Sequence, residues 1–345
     1  MSDYSKYFAN KTILVSGGAG AIGSNLCKTL ASLKAKKIII LDNLCASPRW
    51  NIPSLPNVLF VEGDIRDEVK LKRVFLEEPE VIFHLAAFFA NQNSIDHPES
   101  DLDVNGVGTL KLLEYARLTK AKRFIYASSG CSIYGSSTPL PLKEDFSSLS
   151  LSSPYQITKM LGELYCNFFS NHYEMETVRA RFFNSYGPGE VPGQYRNVIP
   201  NFVYWALQGK DIPITGTGDE TRDFTFVGDI VDGLLRCGSL EKAVGEAFNL
   251  ASGREIKIAD LASQVIELTR SKSKIVFAER RKWDTKKRIL ASVDKARELL
   301  GYEPKTNFDV GLEKTVQWFR ENWDLIHKSS SFAPGMSSAV RSVIS

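Results

Sequence analysis

Cysteine is scarce in this chain and never sits at ligand spacing. Its five copies, Cys27, Cys45, Cys131, Cys166 and Cys237, are odd in number and scattered, which argues against a disulfide framework or a C-x-x-C zinc site and fits a reducing cytoplasm. The four histidines, His84, His97, His172 and His327, show no metal-ligand spacing, so no metal is expected. His84, in the apolar segment FHLAA, reads as a satisfied core residue. A dominant sign of charge is also missing. Lys and Arg total 43 against 40 Asp and Glu, and no broad basic field points to nucleic acid or a membrane surface. No apolar run reaches the ~18 residues that a membrane helix needs, and Met1 to Asn10 has no signal-like stretch. A cytoplasmic protein of one large or two fused domains is expected from the 345 residues.

What is present is a strong alternation of two periods. Short β-branched runs at Thr12–Ser16, Lys37–Leu41, Val58–Glu62, Val81–Leu85 and Arg123–Ser128 alternate with stretches of three- and four-residue apolar spacing at Asn25–Leu33, Asp67–Glu77 and Val107–Leu118. This predicts βαβ units feeding a parallel sheet, each crossover right-handed. Ser153 and Pro154 mark a helix start, predicted to run to about His172. From Asn184 the composition shifts to Gly, Pro and aromatics, with shorter helices at Val198–Gln208, Ile258–Leu268 and Val310–Asn322. The expected fold is α/β: a Rossmann-type doubly wound parallel sheet with a smaller C-terminal α/β substrate-binding lobe. Residues 1–183 would form the dinucleotide-binding domain, with 226–251 returning to it. Residues 184–225 and 252–327 would form the lobe. The serine-rich stretch 328–345 reads as a flexible tail.

Between the first strand and helix, ILVSGGAGAIGSNL places Gly17, Gly18, Gly20 and Gly23 as both G-x-x-G-x-x-G and G-x-G-x-x-G. Glycines here permit a tight turn, a close approach of diphosphate to backbone and close packing of helix on strand, while the helix N-terminus presents free N–H groups. Nineteen residues past Gly23, at the end of the next strand, Asp42 is placed to accept from the adenosine ribose hydroxyls. A 2′-phosphate would meet its charge, so NAD is the expected cofactor.

Tyr155 and Lys159 lie four apart on the helix opened by Pro154 and share a face. A free phenol has a pKa of about 10, and a neighbouring ammonium together with the nicotinamide ring would have to lower it for the tyrosine to serve as a base near neutrality. Alone, Y-x-x-x-K more often marks an exposed lysine beside a half-buried tyrosine. Upstream, RFIYASS ends in a hydroxyl-rich turn, Ser128 to Ser132, at the carboxyl end of a strand, where such sheets bind ligands.

The ordered segments GGAGAIGSNL, LDNLCASPR, GDIRD, FHLAA, NGVGTLKLLEYA, ASSGCSIYG, YQITK, RFFNSYGPG, RDFTFVGDIVDG, FNLASG and LGYEPKT together resemble the extended short-chain dehydrogenase/reductase family, and within it the NAD-dependent epimerase/dehydratase group typified by UDP-glucose 4-epimerase. The resemblance runs from Thr12 to about Trp323. It implies a catalytic trio of Tyr155, Lys159 and Ser129. Cofactor contacts are implied at Gly17, Gly20, Ala21, Ile22, Gly23, Asp42 and Asn43, at Asp64 and Ile65 flanking the adenine, and at Leu85, Ala86, Ala87 and Asn105, with Lys159 also on the nicotinamide ribose. Phe89, Ser129, Asn184, Asn197, Arg222, Arg281 and Asp284 would hold a nucleotide sugar. Asn105–Ala116 and Tyr155–Phe169 would pair across a homodimer, with Leu112, Leu113, Leu161 and Phe168 serving there or in the core.

The implied activity is epimerisation at C4 through a keto sugar, with dehydration or 3,5-epimerisation as the enzyme alternative and a non-catalytic dinucleotide sensor as the alternative from another class. The chain departs from the family pattern in the turn before Tyr155. Aligning on the strand makes Ser129 the catalytic hydroxyl, whereas aligning on the following IYG points to Gly130. Ser129 is favoured because glycine cannot donate a hydrogen bond. The Thr-Asp-Glu triplet of dehydratases and the glutamate of sugar-acid decarboxylases are missing there. Cys131 loosely matches a second acid/base of a 3,5-epimerase branch, but cysteines at strand ends are usually inert packing. The run RRKWDTKKR at 280–288 holds six cations in nine residues, which could bind nucleic acid or clamp a diphosphate; the blander reading, in part favoured, is a solvated loop with Arg281 its only cation in the site.

Overall fold

A computed structural model describes residues 3–135, 138–330 and 332. Seven strands form one parallel sheet: β1 (Thr12–Ser16), β2 (Lys37–Asp42), β3 (Val58–Glu62), β4 (Val81–His84), β5 (Arg123–Ser129), β6 (Thr177–Phe182) and β10 (Ala247–Leu250). Their order is β10-β6-β5-β4-β1-β2-β3. The chain winds outward from β1 toward β3, then returns to start again at β4. The crevice at the carboxyl ends of β1 and β4 is therefore the switch point where ligands of doubly wound sheets bind. Burial of both faces explains why these strands read as continuous apolar runs. Ile13, Leu14, Val15, Ile38, Ile39 and Ile40 are all fully buried, each such side chain contributing about 2 kcal/mol of hydrophobic stabilisation.

The second half builds two small sheets, β7 (Asn184–Tyr186), β9 (Thr221–Phe226) and β11 (Glu255–Lys257) in one, β8 (Ile212–Thr215) and β12 (Ile275–Ala278) in the other. Helices Val198–Leu207, Ile258–Thr269 and Phe308–Glu321 surround a separate apolar core that includes Phe202, Trp205, Leu261 and Phe319. Helix Val227–Ser239 leads from β9 back to the large sheet, where it packs on β5, β6 and β10. The short strands are too brief and irregular to announce themselves by period.

Two local expectations change. The helix anticipated from Val107 begins instead as a π-helical stretch, Leu102–Gly108, that continues into Thr109–Leu118. Gly108 lies where a Cβ would come within 2.6 Å of Ile65, so the absence of a side chain lets this segment press against the loop after β3. The stretch from Lys328 is not wholly a tail. A helix runs over Trp323–Ser329, and the Phe332 ring stacks on Tyr204 at 5.5 Å. The remainder, 331 and 333–345, lies outside the described residues. Among the described residues no helix is long and apolar enough to cross a membrane.

Candidate active site

The cofactor cradle follows from two close approaches. Gly17 has φ +74°, and a Cβ there would lie 2.6 Å from the Ala86 nitrogen; a Cβ on Gly23 would lie 2.3 Å from the Gly17 oxygen. No side chain fits at either position, so the turn hugs β4 and the helix hugs the turn. The helix Ala21–Ser32 has Gly20 at its N-cap with no side-chain cap, leaving first-turn N–H groups and the positive dipole end turned to the groove. Asp42 is oriented by two backbone donors, Ala19 N at 3.0 Å and Leu44 N at 2.9 Å. Asn43 donates to Asp64 at 3.0 Å, and Arg66 pairs with the same carboxylate, building the edge beside Ile65.

Gly17, Gly20, Gly23, Asp42, Asn43, Asp64, Ile65 and Arg66 line one cavity of about 660 Å³ that continues past Leu85, Ala86 and Ala87 to Tyr155 and Lys159, and on to the second lobe. Ser153 caps the Pro154–Tyr173 helix through Gln156 N, which sets Tyr155 and Lys159 in its first two turns. Lys159 Nζ donates to the Ala127 carbonyl at 3.0 Å and sits 5.6 Å from the Tyr155 ring centroid. Burial pushes the Lys159 ammonium down to about 8. Tyr155 meets Phe89 edge to face at 5.9 Å, and burial with the Asp101 charge holds its phenol well above the usual range. The protein's own field therefore keeps the phenol protonated, opposite to the lowering that a base near neutrality requires.

The strand alternation separates the serines. Both border the cavity, but Ser128 is buried with its hydroxyl committed to Glu163 at 2.5 Å, whereas Ser129 is less buried and its Oγ accepts from Ser132 at 2.9 Å. β5 runs through Ser129 and passes into one helical turn, Gly130–Ile133, rather than an open turn. A Cβ on Gly130 would fall 2.1 Å from the Phe183 ring, so no side chain can stand there. Cys131 faces the cavity with its sulfur 3.6 Å from Asn184 Nδ2, and burial pushes its thiol up to about 11.

Of the residues expected to hold substrate, Phe89, Asn184, Asn197, Arg222, Arg281 and Asp284 all line the cavity. Arg222 and Asp284 are ion-paired at 2.9 Å, so much of their charge is spent on each other. Asn197 gives its amide to Glu190 at 2.8 Å. Asn105 does not line the cavity. It is buried behind the wall, where its amide oxygen accepts from Phe88 N at 2.8 Å and its nitrogen donates to Asp101 at 2.8 Å. The 280–288 run brings more than Arg281 into the site. Lys286 reaches inward to the Cys131 carbonyl at 2.7 Å, and Trp283 Nε1 donates to Gln92 at 2.8 Å across the cavity mouth. Glu190 and Arg196, from a segment read only as Gly- and Pro-rich, also line it; no spacing signal marks them. His84 is satisfied on both ring nitrogens by Ser16 and Thr109.

A doubly wound sheet with a glycine cradle, an acid after β2 and a buried Tyr/Lys pair defines a dinucleotide-dependent enzyme of the extended Rossmann type. Residues 13–251 match the model of the NAD dependent epimerase/dehydratase family. The chain is similar to an epimerase from Methanothermobacter thermautotrophicus (56% identity, 96% of this chain and 98% of that chain, TM-score 0.95). It is similar also to the Bordetella bronchiseptica enzyme WbmF, solved with NAD+ and UDP (36% identity, 94% and 96% covered, TM-score 0.83). In sequence it is 34% identical over 310 residues to the UDP-glucose 4-epimerase of Mycolicibacterium smegmatis, covering 89% of this chain and 98% of that one. The chain belongs to the NAD-dependent epimerase/dehydratase family, with NAD as its cofactor. The cradle fits that group: the side-chain-free turn admits a diphosphate, and Asp42 suits an unsubstituted ribose.

Proposed function

We propose that this protein inverts C4 of a nucleoside-diphosphate hexose, hexuronate or N-acetylhexosamine through a transient 4-keto sugar. The observation that carries the reading is that Tyr155, Lys159 and Ser129 share one cavity wall between the dinucleotide groove and the second lobe. NAD supplies reversible hydride acceptance at a sugar carbon. To take the proton of the C4 hydroxyl Tyr155 Oη must be a phenolate, which requires the Lys159 ammonium and the bound nicotinamide to outweigh the burial that otherwise holds the phenol protonated; it returns that proton when the alcohol is re-formed. The Lys159 ammonium, fixed on the Ala127 carbonyl, stabilises the phenolate that precedes proton transfer. Ser129 Oγ, which accepts from Ser132, keeps its own proton for the sugar oxygen. Arg281 and Lys286 offer cationic hydrogen-bond donors to the substrate diphosphate. Phe89, Gln92 and Asn184 border the space in which the keto sugar must present its other face.

Dehydration or decarboxylation would call for a further acid near Tyr155, and the Ser128 to Ser132 segment carries none. A thiol pushed up to about 11 is a poor partner for 3,5-epimerisation at neutral pH. The complete Tyr155/Lys159 pair speaks against a non-catalytic sensor. The reading includes a homodimer: Ile157, Leu164 and Phe168 form an exposed stripe on the catalytic helix, 54%, 55% and 47% accessible, beside Val107 at 43%, while Leu112 and Leu113 are fully buried and belong to the core. Five free thiols support a reducing cytoplasm. Incubating the protein with a panel of nucleotide sugars and following the products by NMR tests the assignment. A 4-epimer that is lost with Tyr155→Phe is expected; a 4-keto-6-deoxy product would rule the reading out.

A further inference from the structure

The segment Gly187 to Asn197 belongs to the second lobe in sequence, yet it is fastened to the cofactor cradle. Asn25 Nδ2 donates to the Pro188 carbonyl at 2.8 Å. The buried Asn51 amide bridges the Ala19 carbonyl at 3.0 Å and the Gly189 carbonyl at 2.8 Å. A Cβ on Gly189, whose φ is +99°, would stand 3.2 Å from Ala21 Cα. These contacts lay the segment over the uncapped first turn of the Ala21–Ser32 helix.

Arg196 extends from this segment into the shared cavity. Its surroundings act on it electrostatically through Glu190, Cys45 and Asp42, and burial lowers its pKa. Neither carboxylate is within ion-pair distance, and among the described residues the guanidinium has no hydrogen-bond or ion-pair partner. Glu190 is instead engaged with Asn197, and Asp42 with Ala19 and Leu44. A half-buried guanidinium that lines the cavity beside the cradle and has no partner among the described residues is available to an anion that the protein does not itself provide.

We propose that Arg196 is a cofactor-binding residue contributed by the substrate lobe, gripping the diphosphate of the dinucleotide from the side opposite the glycine cradle. The dinucleotide is then bound by both lobes, and the 187–197 segment is its lid. The proposal rests on the NAD reading of the groove and not on which sugar reaction follows. The substrate also carries a diphosphate in the same cavity, so the test separates the two.

Dissociation constants for NAD, ADP-ribose, AMP and UDP are measured by titration calorimetry on nucleotide-free wild type, Arg196→Gln and Arg196→Lys, alongside the amount of NAD that co-purifies with each. Arg196→Gln should weaken NAD and ADP-ribose on the order of 10- to 100-fold, as loss of a charge-assisted contact does. AMP, which carries one of the two phosphates, should weaken by less than NAD, UDP should change by less than about threefold, and Arg196→Lys should recover part of the loss. Retained UDP binding shows that the variant is folded. Unchanged NAD affinity would overturn the proposal, as would a loss confined to UDP, which would assign the guanidinium to the substrate, or an equal loss for all four ligands, which would make its role structural. Failure of wild type to bind NAD at all would instead refute the cofactor reading.

Discussion

Replacing Lys159 with methionine should stabilise the fold while abolishing activity, and the pH dependence of that gain is the informative part. Lys159 is 4% exposed, and burial pushes its ammonium to about 8 from 10.5. At pH 7 that difference corresponds to about 3 kcal/mol by which the charged side chain disfavours the folded state. Its surroundings are the Asp101 carboxylate, which attracts the ammonium, the phenols of Tyr126 and Tyr155, and a His84 kept neutral by burial. Methionine has similar length and no charge, but it forfeits the bond to the Ala127 carbonyl, costing about 1 kcal/mol. A net gain of about 2 kcal/mol should raise Tm by roughly 3 °C at pH 7. Between pH 8 and 10.5 the unfolded chain binds more protons at this site than the folded one, so wild-type stability climbs and the advantage of Lys159→Met should fade. Thermal unfolding of nucleotide-free protein from pH 7 to 10.5 reads this directly. A methionine variant that is less stable at pH 7, or whose advantage does not shrink with rising pH, would refute the argument.

Asp42→Ala should weaken NAD and narrow its preference over NADP, since the acid that opposes a 2′-phosphate is gone; fluorescence titration with both cofactors checks this. Ser129→Ala should lower kcat by about 100-fold or more with an unchanged Tm, whereas Gly130→Ser should cost about 1–3 kcal/mol of stability by driving a side chain into Phe183; paired kinetics and melts distinguish them. Leu164→Glu with Phe168→Glu should convert a dimer to monomer by light scattering, and a wild type already monomeric would remove the dimer from the account.

Five of the seven strands of the large sheet were legible because most are apolar runs buried on both faces and each intervening helix keeps a 3.6-residue period. Strands β1 and β3 match their expected limits residue for residue, and the start of the catalytic helix was visible because Ser153 and Pro154 do local chemistry. The second lobe was harder to read. Strands of three to six residues, such as Asn184–Tyr186 and Glu255–Lys257, owe their existence to partners far away in sequence. The site divides in the same way. Gly17, Gly23, Asp42, Tyr155 and Lys159 sit at fixed spacing on single elements, whereas Lys286, Trp283, Glu190 and Arg196 reach the cavity only because loops fold back over it. Asn105, expected along the cofactor, sits buried beside the Phe88 backbone, and the sequence did not show that Phe88 and Asp101 engage its amide.

The central claim is transient oxidation at C4 with return of the same hydride. Running the reaction on a nucleotide sugar in D2O and reading the product by NMR tests it most directly. The account predicts a C4 epimer with no solvent deuterium on any ring carbon, and no epimer from Tyr155→Phe. Deuterium at C3 or C5, or a 4-keto-6-deoxy sugar, would contradict it.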